Sequence, residues 1–296
     1  MKKVLFTVLC FSALAVAAQK VEVVHQKRVL PTWDQPAYRP VLNAPADKLL
    51  FTDEMASSLY LYDYATGEVK LVSEEMGSGV DAFFGNDGKV YYVTQTRDDH
   101  NLIYRSGHSY DIVTSKHEML IEPQHGAIHP MIATKGAGMK SESGIYKAPK
   151  KSLAVYTYGS EIAIVRNGAE RRYAPVESDA GYLWPSLSPD GEKIAFFAAG
   201  KGIVIIDLAG VVLAELGNYE MPSWLNNDYI VAQNATDDGH QFTSSQIVLL
   251  KADGTLIKPL TSPSSMTMQP SASAGKIVYN TIDGYLYQME VNIVEP

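Results

Sequence analysis

The chain has 296 residues, 46% of them hydrophobic and 20% charged, with a formal net charge of −8. It is long enough for a substantial core and too acidic for a protein that coats nucleic acid, which needs a basic face. Its 22 Gly and 15 Pro are too ordinary for a fibrous chain, and its single cysteine rules out a disulfide framework.

The first predicted element is an export signal. Met1-Lys2-Lys3 is basic, Val4 to Val16 is an apolar run short of a comfortable membrane span, and Ala15-Val16-Ala17-Ala18 offers small residues to a signal peptidase. Cleavage is expected after Ala18. It removes Lys2, Lys3 and Cys10, so the mature charge moves from −8 to −10. Leu9 directly before Cys10 argues against a lipoprotein. No later stretch is apolar for long enough to span a bilayer. Residues 19–296 are therefore expected to form one exported domain, periplasmic or secreted.

After the signal the sequence repeats itself. The clearest unit is Trp184-Pro185-Ser186-Leu187-Ser188-Pro189-Asp190-Gly191-Glu192-Lys193-Ile194-Ala195-Phe196-Phe197. Its Ser-Pro-Asp-Gly turn separates two apolar strands, because Pro189 presets φ and Gly191 tolerates positive φ. Gly202–Leu208 and Val211–Leu216 supply a third and a fourth strand. The same order starts at Arg39-Pro40, Asp81-Ala82, His129-Pro130, Met221-Pro222 and Gln269-Pro270. Pro40 to Pro270 covers five steps of about 46 residues each. Four short strands per repeat of that length predict an all-β, six-bladed β-propeller with four-stranded antiparallel blades. The sixth unit has only three strands. Lys20–His25 is expected to supply the fourth and close the ring, removing a free sheet edge.

The stretch Pro185–Phe196 resembles the repeat of TolB-like propellers, with weaker copies at Pro40, Pro222 and Pro270. The unit from Pro222 through Asp237-Asp238-Gly239-His240 to Ser245–Val248 is similar to a propeller blade of dipeptidyl-peptidase IV-type proteins. The resemblance implies an envelope propeller that binds proteins or peptides through its central channel. The sequence departs from both families in lacking a match to the hydrolase domain of the peptidases and to the separate N-terminal domain of TolB, so neither of those activities is expected to carry over.

Chemistry is sparse. There is no nucleophile elbow, no zincin motif, no phosphate loop and no Cys-x-x-Cys. His108, His117, His125 and His129 lie close in sequence, but their spacing fits no zinc pattern and most are expected on loops. Arg97-Asp98-Asp99-His100 and Asp237-Asp238-Gly239-His240 are acidic loops that could hold calcium, but Asp and Gly favour turns for backbone reasons, and turn formation is the preferred reading. The Gly/Ser/Lys-rich stretch from Lys135 to Gly144 reads as an excursion inside the third blade, and Lys147, Lys150 and Lys151 make it locally basic.

The first strand of each blade lines a propeller's axis. Alternation then places Arg39, Asp81, His129, Trp184, Met221 and Gln269 in the channel and Trp224 in the core. A mixed polar and aromatic ring suits a wet recognition channel, since unpaired charge in a dry interior is costly. The expected function is a non-catalytic module for an envelope protein or peptide, monomeric, without metal or other cofactor. The alternatives are a small lyase or hydrolase with a histidine-bound metal at the channel mouth, and a structural scaffold.

Overall fold

The computed structural model describes residues 20–133, 138–141, 144–146 and 153–294. The predicted signal lies outside them. Among them no helix is long and apolar enough to cross a membrane.

The described chain is six antiparallel sheets in sequence order. Blade 1 is β2 (Tyr38–Leu42), β3 (Lys48–Thr52), β4 (Leu59–Asp63) and β5 (Val69–Ser73); blade 2 is β6 (Phe83–Phe84), β7 (Lys89–Arg97), β8 (Ile103–Asp111) and β9 (His117–Gln124). Blade 3 holds β10 (His129–Ala133), β11 (Gly138–Ser141), β12 (Gly144–Tyr146), β13 (Leu153–Tyr158), β14 (Glu161–Arg166) and β15 (Ala169–Tyr173). Blade 4 is β16 (Tyr182–Leu187), β17 (Lys193–Ala198), β18 (Gly202–Asp207) and β19 (Val212–Gly217). Blade 5 is β20 (Glu220–Trp224), β21 (Tyr229–Asp237), β22 (Phe242–Lys251) and β23 (Ile257–Pro259). Blade 6 combines β24 (Thr267–Ser273), β25 (Lys276–Thr281) and β26 (Leu286–Val294) with β1 (Lys20–Arg28). The N-terminal strand thus closes the ring, pairing from Lys20↔Val294 to Arg28↔Tyr287.

Period-2 alternation builds the core as a set of clusters between neighbouring blades. Leu49 and Phe51 of β3 pack with Val278 and Leu286 of blade 6, while Leu50 between them faces Val90 and Tyr92 of blade 2. Val155 and Ile164 meet Phe196 and Val204; Ile203 and Ile205 meet Ile230 and Val248; Val231 and Leu249 meet Ile277 and Tyr279. Apolar residues on both faces of the second and third strands explain why those strands read as continuous hydrophobic runs.

Blade 3 departs from the four-strand expectation. The described part of the Gly/Ser/Lys stretch is a hairpin, β11–β12, that joins the sheet through His129↔Lys140 and Met131↔Gly138. It is anchored because Met139 is buried with Tyr91 and Ile121 of blade 2. Gly107 of β8 makes room for it: a Cβ there would lie 2.7 Å from the Met139 sulfur. The residues around the hairpin, 134–137, 142–143 and 147–152, lie outside the described ones.

Candidate binding site at the channel mouth

The first strands converge on the axis, with β2 touching β6, β10 touching β16, β16 touching β20, β20 touching β24 and β24 touching β2. In blades 1, 4 and 6 the first strand begins level with the end of the second, as in Tyr38↔Thr52, Tyr182↔Ala198 and Thr267↔Thr281, whereas in blades 2 and 5 the second strand runs on past it. The mouth on this face therefore also carries the turns between second and third strands and the connections from one blade to the next.

Four predicted channel residues share an unusual backbone. Arg39, Trp184, Met221 and Gln269 have φ of 51°, 50°, 52° and 53°. Each stands directly before a proline in a β-bulge. In β16, Leu183 pairs Phe197 and Ser186 pairs Ala195, so Trp184 and Pro185 together face one partner residue. Proline fits there because it has no N–H to give the ladder, and it disfavours the right-handed helical region for the residue before it. Simple alternation does not run through such a bulge; the left-handed residue re-aims the strand. Arg39 and Trp184 are exposed and Met221 and Gln269 half-buried, whereas Pro40, Pro222 and Pro270 are buried.

At the bulges and along the inner edges of the first strands, backbone N–H groups are taken up by side chains of neighbouring blades. Gln233 Oε1 accepts from Gln269 N at 2.9 Å, and Gln269 Oε1 accepts from Arg39 N at 3.0 Å. Ser223 Oγ accepts from Ala272 N and Ser271 Oγ from Leu42 N. Gln269 is thus part of the ring's stitching. Gln233, buried in β21, escaped the sequence reading because a lone strand glutamine carries no pattern.

Arg39, Asp81 and His129 form an electrostatic group. Asp81 is open to solvent yet hemmed in by protein. Lost hydration pushes its carboxyl above the usual aspartate value, against the pull of Arg39 and His129. His129 is half-buried, and lost hydration holds its imidazole below the usual value despite Asp81; Lys140 and Arg172 add to that push. The Arg39 guanidinium donates to Val80 O at 3.4 Å. Trp184 stands on Phe197, with ring centroids 5.5 Å apart. Among the described residues, Trp184 and Met221 share no hydrogen bond, ion pair or ring contact with the other four.

Blade 3 adds residues that the sequence reading passed over. The His129 ring lies 5.8 Å from Tyr156 and 6.0 Å from Tyr158, and the Arg172 guanidinium lies 4.4 Å over Tyr158. Arg172 also donates to Glu170 at 2.8 Å and to Glu161 at 3.4 Å. Tyr156, Ala163 and Arg172 pair in one cross-strand row. The small alanine between them lets the two long side chains meet, a signal visible only once the register is known.

The other histidines are dispersed, and three of the four clustered in sequence sit on strands rather than loops. The cause is that β8 and β9 are long and hold His108 and His117. His108 is buried, with Nε2 3.0 Å from Thr94 Oγ1, and His117 Nδ1 is 3.0 Å from the Tyr92 hydroxyl. His125 lies beside Tyr104. Among the described residues no three His, Cys, Asp or Glu side chains come together as a metal site. The acidic turns are held by their own backbone: Asp98 accepts from His100 N and Leu102 N, and Asp238 from His240 N and Gln241 N.

No family model matches the sequence, and no curated protein does. Solved structures do. TolB from Acinetobacter baumannii aligns at 16% identity and TM-score 0.50, over 88% of this chain and 56% of that one. A putative TolB from Agrobacterium tumefaciens aligns at 13% and 0.53, over 94% and 99%. The fold is that of TolB-like six-bladed propellers. A catalytically inactive virginiamycin B lyase from Staphylococcus aureus, solved with quinupristin, aligns at 13% and 0.56 over 92% and 99%. This chain spans little more than half of the Acinetobacter TolB, and at these identities the likeness to the TolB-like propellers and to the lyase is one of architecture.

Proposed function

We propose that this protein is an exported, monomeric, non-catalytic binding module of the bacterial envelope, which recognises a protein or peptide at the mouth of its channel without a cofactor. The observation that carries this reading is the group at the mouth. Arg39, Asp81 and His129 are charged or titratable and electrostatically coupled, and the exposed indole of Trp184 stands on another first strand of the same ring. Concave sites with a few convergent polar groups and an aromatic are suited to recognition. The TolB-like fold supports the envelope reading, and the basic and apolar N-terminal segment supports export.

Two measurements test it. Intact mass of the protein expressed in a bacterium should show a chain starting at Gln19. Cross-linked capture from envelope extract should yield a partner with the mature protein and lose it with Arg39→Ala/His129→Ala/Trp184→Ala, at unchanged melting temperature. Equal capture by both proteins would move the interface away from the channel. Turnover of a substrate dependent on His129 would replace the binding reading with an enzymatic one.

A further inference from the structure

The two faces of the ring differ in what they expose. Every blade places a large apolar side chain in solvent on the mouth face: Met55, Leu102, Tyr158, Trp184, Phe242 and Tyr285, one from each of blades 1 to 6. Arranged around one face, these side chains offer apolar area to a partner that spans the mouth. The opposite face exposes Val113 and Val211 in its turns and Ile257 and Val294 at strand ends.

Charge is divided in the same way. On the opposite face four lysines each pair with a carboxylate, Lys48–Asp63 at 2.8 Å, Lys89–Glu118 at 3.4 Å, Lys251–Asp253 at 3.5 Å and Lys193–Asp228 at 3.8 Å, beside further exposed carboxylates such as Asp87 and Glu192. On the mouth face Glu54, Glu75, Asp99, Asp179, Asp238 and Asp283 are exposed, and among the described residues none of them meets a cation within 4 Å. That face's cations are fewer: Arg172 is held by Glu170 and Glu161, Arg97 donates to Asn101 at 3.2 Å, and Arg39, Lys140 and Lys201 also lie at the mouth and its turns.

The relief of this face has a direction. The β7–β8 hairpin stays paired up to Arg97↔Ile103 and the β21–β22 hairpin up to Asp237↔Phe242. The second rises four residues past the Glu220↔Gln233 pair where β20 begins, on the order of 13 Å at about 3.3 Å per residue. Blades 2 and 5 are opposite one another in a ring of six. Two acid-tipped walls therefore flank the channel mouth.

We propose that this face docks a basic polypeptide segment bearing apolar side chains, seated between the raised hairpins and across the channel mouth. This rests on reading the mouth as a binding site and names the chemistry of what fits it. The carboxylates attract Lys and Arg and repel nucleic acid and anionic lipid, while the apolar ring supplies area that a purely charged partner would not use. Interfaces of this kind owe their salt dependence to rim charge.

The test uses the mature protein and a fluorescein-labelled peptide of lysines and leucines, read by anisotropy at low and high salt. Peptides of glutamates and leucines, and of lysines and serines, are run beside it. The hairpin variant is Asp99→Lys/Asp237→Asn/Asp238→Asn, in which asparagine keeps the turn-capping oxygen; Glu68→Lys/Glu192→Lys is the opposite-face control. The lysine–leucine peptide is expected to bind, to weaken about tenfold in the hairpin variant and in high salt, and to ignore the control. Binding of the hairpin variant equal to wild type, equal binding of either comparison peptide, stronger binding to anionic vesicles, or no binding at all would overturn the proposal. Arg39→Ala/His129→Ala separates the two readings. If it abolishes binding while the hairpin variant does not, recognition lies in the channel alone and the docking face is wrong.

Discussion

The Gln269 side chain accepts a hydrogen bond from the backbone N–H of Arg39 at 3.0 Å, across 230 residues of sequence. That N–H is free because Arg39 sits in a bulge with φ of 51°. The neighbouring Gln233 performs the same service for Gln269 N. Two glutamines thus stitch three successive blades, 5, 6 and 1, at their inner ends.

Removing either acceptor leaves a backbone donor without a protein partner. Gln269→Leu and Gln233→Leu should each cost about 1–2 kcal/mol in urea denaturation, and Gln233→Leu the more, because it is buried. The two changes share a partner residue, so the double variant should depart from additivity. Melting within a degree of wild type would mean that water replaces the glutamines.

The two tryptophans of the repeat should behave oppositely. Trp224 is 4% exposed and donates to Ser186 O at 2.9 Å, so Trp224→Ala should cost about 3–5 kcal/mol. Trp184 is 38% exposed, and Trp184→Ala should cost less than about 1 kcal/mol while weakening partner binding. Parallel thermal melts decide this; unfolding by the second change would make Trp184 a core residue.

Asp81 and His129 set opposed pH dependences. A carboxyl whose folded value is raised binds its proton more readily in the native state, so its penalty grows as pH rises from 3.8 through that higher value. Asp81→Asn should therefore stabilise the protein at neutral pH and leave it unchanged below pH 3.8. An imidazole whose folded value is lowered loses stability as pH falls below 6.5. His129→Asn should lessen the acid loss in that window. His108, also lowered by burial, should retain its own share. Chemical denaturation across pH reads both, and curves parallel to wild type would refute the assignment.

The closing strand should be separable from the rest. Deleting residues 20–28 uncovers the edge of β26, which pairs β1 from Val294 to Tyr287. The expected result is a lowered melting temperature and association through the exposed edge, seen in size-exclusion chromatography. An unchanged monomer with an unchanged melt would show that three strands suffice in blade 6.

Fold and ring size were legible in the sequence because their determinants are local. Proline and glycine preset turn angles within four residues, as in Ser188-Pro189-Asp190-Gly191, and alternation within a strand shows which residues seek the core. Repeating that unit from Pro40 to Pro270 sets the number of blades. The contacts of the mouth were decided by tertiary structure. Bulges at Arg39, Trp184, Met221 and Gln269 break the alternation from which their direction was inferred. The Gln233–Gln269–Arg39 chain and the Tyr156–Ala163–Arg172 row join residues that only register and ring closure bring together. The burial of Met139 in a stretch that reads as a loop has the same origin: a glycine in another blade leaves the space it fills.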